Sequence, residues 1–80
     1  MSVTILLFAS YADALGASSL SVSLPPDATV ADLLDDVRRR PGAATLPPHP
    51  IVAVNQRYAS PATPVHPGDE VALIPPVAGG

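Results

Sequence analysis

A single segment of this chain carries a long helical pattern, and this segment limits how the rest can pack. Apolar residues recur at the spacing of one helix face, at Val30, Leu33, Leu34 and Val37. Thr29 is a natural N-cap, and Asp32 falls in the first turn, where the helix dipole favours an anion. Pro41 and Gly42 stop the pattern after Arg40. We therefore predict one main helix over residues 29–40.

Four shorter apolar segments predict β-strands around this helix. They cover residues 3–9, 19–24, 51–54 and 70–74. Residues 19–24 alternate apolar and serine side chains, which is the pattern of a strand with one buried face. The order strand, strand, helix, strand, strand indicates an α+β domain, and the two N-terminal strands suggest a hairpin. The 11 prolines are spread over several connections and no repeat is visible, so residues 1–80 form a single domain.

The connections between these segments have their own signals. Residues 13–16 can form one helical turn that ends at Gly16. Residues 43–50 are a Pro-rich connection without periodicity. Residues 55–57 predict a turn, in which Asn55 is able to accept a left-handed backbone, and residues 58–59 can then resume extended structure.

One helix can cover only one face of a sheet. In residues 3–9 and 70–74, both strand faces are largely apolar. If the helix covers Ile5, Leu7, Val71 and Leu73, then Phe8 and Ile74 remain on an uncovered apolar patch. Such a patch usually marks an interface. The alternative is that sheet curvature or the Pro-rich loops bury these side chains.

The C-terminal segment continues directly from the last predicted strand. Pro75 and Pro76 cannot donate to a β-ladder, so the folded body ends at residue 74. A Pro-Pro pair favours an extended conformation that rises ~3.1 Å per residue, so residues 75–80 can form a long presenting tail. Gly79 and Gly80 lack side chains, so a terminal carboxylate on Gly80 can enter a narrow slot. Gly80 is thus our candidate reactive group; a frayed or inert chain end is the alternative.

The composition excludes several classes of function. The chain has no cysteine, which rules out disulfides, thiolate metal ligands and a cysteine nucleophile. The net charge of -3 argues against binding to nucleic acid, which favours a basic face. The apolar run at residues 3–9 is too short to cross a membrane. We expect a cytoplasmic protein that binds neither nucleic acid nor membrane.

No self-contained catalytic or metal site is apparent. His49 and His66 lie beside prolines in predicted loops, without acidic partners at metal-binding spacing. Asp35 and Asp36 are adjacent on a helix, so their carboxylates point in different directions and do not form a catalytic pair. Residues 38–40 are three arginines that complement the helix C-terminus, with a phosphate or partner site as the alternative. We predict no metal ligands.

Several segments resemble the sulfur-carrier family that includes the small subunit of molybdopterin synthase, within the ubiquitin-like β-grasp group. They are ILLFA at residues 5–9 with Leu15-Gly16 after it, VAVNQ at residues 52–56, GDEVA at residues 68–72 and PPVAGG at residues 75–80. Their order is that of the family, and together they cover essentially the whole chain. The resemblance implies a ubiquitin-like β-grasp fold: a mixed sheet packed on one main helix, with an extended Gly-Gly tail.

The resemblance also implies a chemistry for the tail. In that family, an adenylating enzyme uses ATP and Mg²⁺ to activate the terminal carboxylate, here on Gly80, and sulfur transfer then yields a thiocarboxylate. The large synthase subunit accepts the tail, and two thiocarboxylates in succession convert precursor Z to the dithiolene of molybdopterin. The carrier is not catalytic alone and holds no permanent cofactor.

By motif position, the resemblance assigns further roles along the chain. The tail-presenting residues are Pro75, Pro76, Val77, Ala78 and Gly79. The family's apolar contacts with its partners fall on Phe8, Tyr58 and Ile74.

Three other functions are compatible with the same tail. The chain can be a sulfur carrier for thiamin or cysteine synthesis, although those carriers usually lack the Pro-Pro-Val spacer. It can be a ubiquitin-like tag on other proteins; the absence of lysine forbids only lysine-linked chains of itself. It can also be an interaction module whose tail is chemically inert.

Overall fold

The computed structural model describes residues 1–75 and contains five strands, two α-helices and one 3-10 turn in that range. In chain order these are β1 (Ser2–Leu7), α1 (Ala9–Leu15), β2 (Ser19–Ser23), α2 (Val30–Arg38), the 3-10 turn (Ala43–Thr45), β3 (Ile51–Val54), β4 (Arg57–Ala59) and β5 (Glu70–Ile74). In this part of the chain, no helix is long and apolar enough to cross a membrane.

The strands form one mixed sheet in the order β2-β1-β5-β3-β4. β1 and β5 run parallel at its centre, and the other neighbouring pairs are antiparallel. The predicted N-terminal hairpin is confirmed by the pairing of β1 with β2. The first and last strands are therefore adjacent, which places the start of the C-terminal segment in the middle of the sheet. This is the predicted α+β, ubiquitin-like β-grasp arrangement.

The main helix matches its prediction at the N-terminus. The backbone N–H of Thr29, the N-cap, donates to the Asp32 carboxylate at 2.9 Å, so the carboxylate satisfies a group that has no partner within the helix. Val30, Leu33 and Val37 are at most 1% exposed and face the sheet. α2 ends at Arg38, slightly before the predicted end at Arg40. α2 is thus the main helix over the sheet.

The apolar core lies between α2 and one face of the sheet. Its largest fully buried side chains are Ile5, Leu33, Leu73, Val3, Val22, Val30, Val37, Val65 and Val71. These include Ile5, Val71 and Leu73 of the covered face that strand alternation predicted for β1 and β5, and Leu7, the fourth predicted residue, is also buried at 3% exposure.

The segment after β1 corrects the sequence prediction. The predicted strand over residues 3–9 ends at Leu7, whose N–H still bonds to the carbonyl of Ser18 at 2.9 Å. Ala9 has a φ of 47° and begins α1, which ends as predicted at Gly16 (φ 72°) but is longer than one turn. α1 buries only Tyr11 and packs against the 3-10 turn. Its stability comes from this tertiary contact, so it leaves little periodicity in the sequence.

A two-residue turn joins β3 to β4. Asn55 has a φ of 52°, as predicted, and Gln56 follows with a φ of 68°. The turn is therefore one residue shorter than predicted, because Arg57 already pairs with Val54. The predicted order of elements omitted α1 and had four strands where the structure has five. The fifth is β4, which contains residues 58–59, where the sequence predicted extended structure.

Side-chain hydrogen bonds connect this turn to the start of β5. The Asn55 amide donates to an Asp69 carboxylate oxygen at 3.0 Å, while its own oxygen accepts from the Glu70 N–H at 3.0 Å. The other Asp69 oxygen accepts from the His66 N–H at 2.7 Å. The hydrogen bond from Asn55, followed by that from the His66 backbone, holds the pKa of Asp69 below its ordinary value.

This lowered pKa predicts a pH-dependent contribution to stability. A depressed carboxyl pKa stabilises the fold above the unfolded-state value, and the contribution is lost as pH falls through the folded-state pKa. We expect Asp69→Asn to reduce the free energy of unfolding at neutral pH, because an amide has only one acceptor oxygen for two donors. The difference from wild type should shrink as pH falls below about 4.

Urea unfolding of wild type and Asp69→Asn at neutral and acid pH measures this effect. Asp13→Asn, which removes an exposed carboxylate on α1, is the matched control for the change in net charge. A deficit for Asp69→Asn that is equally large at both pH values would contradict the assignment.

Candidate functional site

One face of the sheet remains uncovered by either helix. A row of paired residues crosses four strands on this face, from Leu6 through Ala72 and Ala53 to Tyr58. The two alanines lie on β5 and β3, and the larger side chains of Leu6 on β1 and Tyr58 on β4 stand on either side of them. Small residues between large ones leave a shallow depression along the middle of the sheet.

This depression is a groove of about 290 Å³. Its apolar lining is Leu6, Phe8, Ala53, Ala72 and Ile74, and its polar lining is Gln56 and Glu70. We call it the open-face groove. Because its apolar residues come from three neighbouring strands and the β1–α1 connection, the sheet itself holds its shape.

The structure brings Phe8 and Ile74 together in this groove. Phe8 is 48% exposed. It was predicted to lie in the first strand, but it follows β1 and is the N-cap of α1. Ile74 is half-buried at the end of β5. Tyr58 is 83% exposed, lies at the β4 edge of the same face and does not line the groove. The role of all three as partner contacts stays a prediction.

Two further residues belong to this face and were missed from the sequence. Ala53 lines the groove, and Ile51, which is 43% exposed, pairs with Ile74. The alternation of residues 51–54 contains the signal: with Val52 assigned to the core, Ile51 and Ala53 must face the opposite side.

The C-terminal segment begins at the centre of this site. β5 lies between β1 and β3, and its last residue, Ile74, pairs with Ile51. Pro75 lies beyond the strand, as predicted. Pro76, Val77, Ala78, Gly79 and Gly80 lie outside the described residues. Two neighbouring strands thus hold the base of the segment beside the open-face groove.

The arginines near the end of α2 mostly contact backbone carbonyls. Arg38 donates to the carbonyls of Pro47 and Pro48 at 3.0 and 2.8 Å, and so ties the Pro-rich connection to the helix. Arg40 donates to the Ser21 carbonyl at 3.0 Å and to Asp36 at 3.2 Å. For these two residues, the contacts favour a structural role over phosphate binding.

The histidines lie away from the open-face groove. His49 lines a larger cavity of about 430 Å³ on the helix side of the sheet, beside Leu34 and Arg38. His66 lies 3.7 Å from the Asp69 carboxylate near the start of β5. Within residues 1–75, no three His, Asp or Glu side chains are grouped closely enough to hold a metal ion.

Comparisons with known proteins agree with this architecture. Residues 5–80 match the ThiS family. The human molybdopterin synthase sulfur carrier subunit is 35% identical over 98% of this chain and 93% of its own length. Small archaeal modifier protein 1 from Haloferax volcanii superposes with a TM-score of 0.85 at 30% identity, covering 95% of this chain and 98% of that one.

A third similarity supports the fold alone. One chain in the complex of subunits 1 and 2 of molybdopterin-converting factor from Helicobacter pylori superposes with a TM-score of 0.75 at 21% identity. The superposition covers 100% of both chains. The strand order and the match over residues 5–80 lead to the same conclusion: this chain belongs to the ThiS family and has the ubiquitin-like β-grasp fold, and its homologues include molybdopterin synthase sulfur carrier subunits.

Proposed function

We propose that this chain is the sulfur-carrier small subunit of a molybdopterin synthase and that it carries sulfur on the carboxylate of Gly80. The observation that carries the proposal is the extent of the similarity. The family match runs to Gly80, and the human sulfur carrier subunit aligns over nearly its whole length. The open-face groove beside the base of the C-terminal segment is consistent with a carrier that docks on other enzymes.

The proposed chemistry needs activation before sulfur transfer. A carboxylate is a poor electrophile, so its oxygen first attacks the α-phosphate of ATP, in an enzyme that uses Mg²⁺, and pyrophosphate leaves. A sulfur donor at the oxidation level of sulfide, such as hydrosulfide, then attacks the acyl carbon and displaces AMP, which yields the thiocarboxylate. In the large subunit this sulfur bonds to a carbon of precursor Z, and water hydrolyses the acyl–sulfur bond, which leaves the sulfur on the product and restores the carboxylate of Gly80.

The composition of the chain suits this chemistry. The chain has no cysteine, so a terminal thiocarboxylate lets it carry sulfur without a thiol of its own. The described residues offer no cluster of catalytic groups, so acid–base catalysis is assigned to the activating enzyme and the large subunit. The proposed role of this chain is therefore delivery.

The groove and the tail have complementary roles in this proposal. Apolar contacts at Phe8 and Ile74 supply binding energy next to the point where the tail leaves the sheet. β1 and β3 hold β5 on both sides, so docking the body also positions the base of the tail. Positioning of this kind lowers the entropic barrier for a reaction at the chain end.

This role of the groove predicts the effect of polar substitutions. We expect Phe8→Ser, in the groove, to weaken binding of the large subunit by tenfold or more, about 1.4 kcal/mol, as for a residue at the centre of an interface. We expect Tyr58→Ser, at the β4 edge of the same face, to weaken binding as well. Titration calorimetry with the purified large subunit measures the affinity. His49→Ser, an exposed position on the helix side, is the control. If Phe8→Ser and Tyr58→Ser both bind with the affinity of wild type and of His49→Ser, the open face is ruled out as the docking surface.

The similarity to small archaeal modifier protein 1 supports a second candidate function, attachment to other proteins through the same terminus. Intact mass spectrometry separates the candidates after incubation with the activating enzyme, ATP, Mg²⁺ and a sulfur source. A mass increase equal to replacement of one oxygen by sulfur supports a carrier. Covalent adducts with other proteins support a modifier. An unchanged mass, in a system that loads a known carrier, contradicts both.

A mass increase does not identify the pathway, because carriers for thiamin or cysteine synthesis undergo the same change. The loaded chain is therefore mixed with the large synthase subunit and precursor Z. Formation of molybdopterin supports the proposed pathway. Loading without molybdopterin formation, under conditions in which a known small subunit is active, favours another carrier pathway.

A further inference from the structure

The outer edge of β2 presents backbone groups that no strand within residues 1–75 covers. Its antiparallel ladder with β1 is bracketed by hydrogen bonds from the Leu24 N–H to the Met1 carbonyl (2.8 Å) and from the Leu7 N–H to the Ser18 carbonyl (2.9 Å). In such a ladder every second residue directs its peptide groups away from the partner strand. The outward-directed residues of β2 are Ser19, Ser21 and Ser23.

One side chain blocks this edge at its centre. The Nη2 atom of Arg40 donates to the Ser21 carbonyl at 3.0 Å and also contacts the Asp36 carboxylate at 3.2 Å. Arg40 follows α2 and reaches across to β2, so its guanidinium occupies the place of an added strand. Its buried Nε has no hydrogen-bond partner among the described residues. The side chain is therefore only partly satisfied by its contacts with the body.

β2 itself lacks the features that usually protect an edge strand. Exposed edges are commonly interrupted by charged residues, prolines or bulges, because unpaired backbone groups invite pairing with another chain. The β2 sequence, SLSVS, has no charge and no proline, and its register with β1 is regular. Among the described contacts, the blocking group is the Arg40 side chain.

We propose that the free edge of β2 is a strand-pairing surface for a second copy of this chain and that Arg40 keeps it closed. The strand is self-complementary about Ser21. In antiparallel pairing around a two-fold axis at that residue, Ser21 faces its own copy and Ser19 faces Ser23. On the other side of the strand, Leu20 faces Val22. The outward peptide groups of each β2 then bond to those of the other copy. Because β2 has no charged residue, no like charges face each other across the pair, and the half-buried Leu20 gains Val22 of the other copy as an apolar neighbour.

This geometry leaves the proposed delivery role intact. The two-fold axis is perpendicular to the sheet, so both open faces lie on the same side and remain uncovered. The pairing surface also lies across β1 from β5, where the C-terminal segment begins. Self-association through β2 and sulfur loading on Gly80 are therefore tested by separate measurements, and failure of one does not imply failure of the other.

The test compares two arginine variants that change the net charge equally. Sedimentation velocity is measured for wild type, Arg40→Ala and the control Arg39→Ala over a concentration series from micromolar to millimolar. Arg39 is exposed and follows Arg38 at the end of α2. We expect dimers of Arg40→Ala at concentrations at least tenfold below those at which the wild type or Arg39→Ala associates.

A second variant identifies the surface. The Ser21 N–H points away from β1, so Ser21→Pro removes a donor from the free edge without breaking the ladder to β1. We expect the double variant Arg40→Ala, Ser21→Pro to return to the monomer with an unchanged circular dichroism spectrum. In the Arg40→Ala dimer, amide hydrogen exchange at Ser19, Ser21 and Ser23 should slow.

Two outcomes overturn the proposal. One is a folded Arg40→Ala variant that associates no more strongly than wild type, because Arg40 would then not close the edge. The other is a dimer that persists in the folded double variant, which would place the contact elsewhere.

Discussion

Deletion of Gly80 is expected to abolish sulfur loading while leaving the free energy of unfolding unchanged. Without Gly80 the terminal carboxylate moves back by one residue, about 3 Å along an extended chain. A displacement of only ~1 Å at a reacting group can cost a hundredfold in rate. The buried core cluster among the described residues lies within residues 3–73, so we expect the body to keep its stability without Gly80.

The loss is measured as ATP-dependent pyrophosphate exchange with the activating enzyme and as the mass of the product. Thermal unfolding of the same sample reports whether the body is intact. Gly80→Ala is the informative companion, because it keeps the reach of the carboxylate and adds only a methyl group. We expect partial loading of Gly80→Ala if the slot in the enzyme is narrow. Wild-type loading of the deletion variant, or its thermal collapse, would contradict the presentation of Gly80 by an independently stable body.

Gly42→Ala is expected to be the most destabilising single substitution that we predict. Gly42 has a φ of 88°, where an L side chain is strained, and a Cβ at this position would collide with the carbonyl oxygen of Ala14 at the end of α1. Overpacking of this kind costs about 1–3 kcal/mol, and the left-handed backbone adds about 1–2 kcal/mol. For a domain of this size we expect the melting temperature to fall by roughly 10–40 °C.

Gly16→Ala is the matched control, because it has the backbone strain without the collision. Gly16 has a φ of 72°, and a Cβ there would meet nothing within 4 Å. Its expected cost is about 1–2 kcal/mol, from the left-handed backbone alone. Differential scanning calorimetry of both variants gives the comparison. If both variants lose the same free energy of unfolding, the collision with Ala14 does not contribute to the cost of Gly42→Ala.

Local patterns predicted the elements whose residues report their own environment. The apolar stripe and N-cap located α2, while simple alternation and Pro75 located β5 at residues 70–74, as observed. Asn55 was assigned a left-handed conformation because its short side chain tolerates it, and its φ is 52°. In each case the deciding interactions lie within a few residues along the chain.

Other parts of the fold depend on residues that are distant in the sequence. α1 is stabilised by packing against the 3-10 turn, and Gln56 is held at a φ of 68° by closure of the β3–β4 turn. Neither leaves a periodic signal. The same reason explains the early end of β1, since the departure of the chain after Leu7 depends on how α1 packs.

The candidate site divides in the same way. The sequence by itself determined that Phe8 and Ile74 are apolar residues on the side of the sheet that a single helix cannot cover. It also determined the Pro-Pro-Val-Ala-Gly-Gly segment that follows the last strand. Only the tertiary structure decided that Ala53 and Ala72 meet across neighbouring strands to form the floor of a groove, and that β5 lies between β1 and β3. The physical reason is that alternation records which face a residue occupies, whereas strand order and register are set by pairing between segments far apart in the chain.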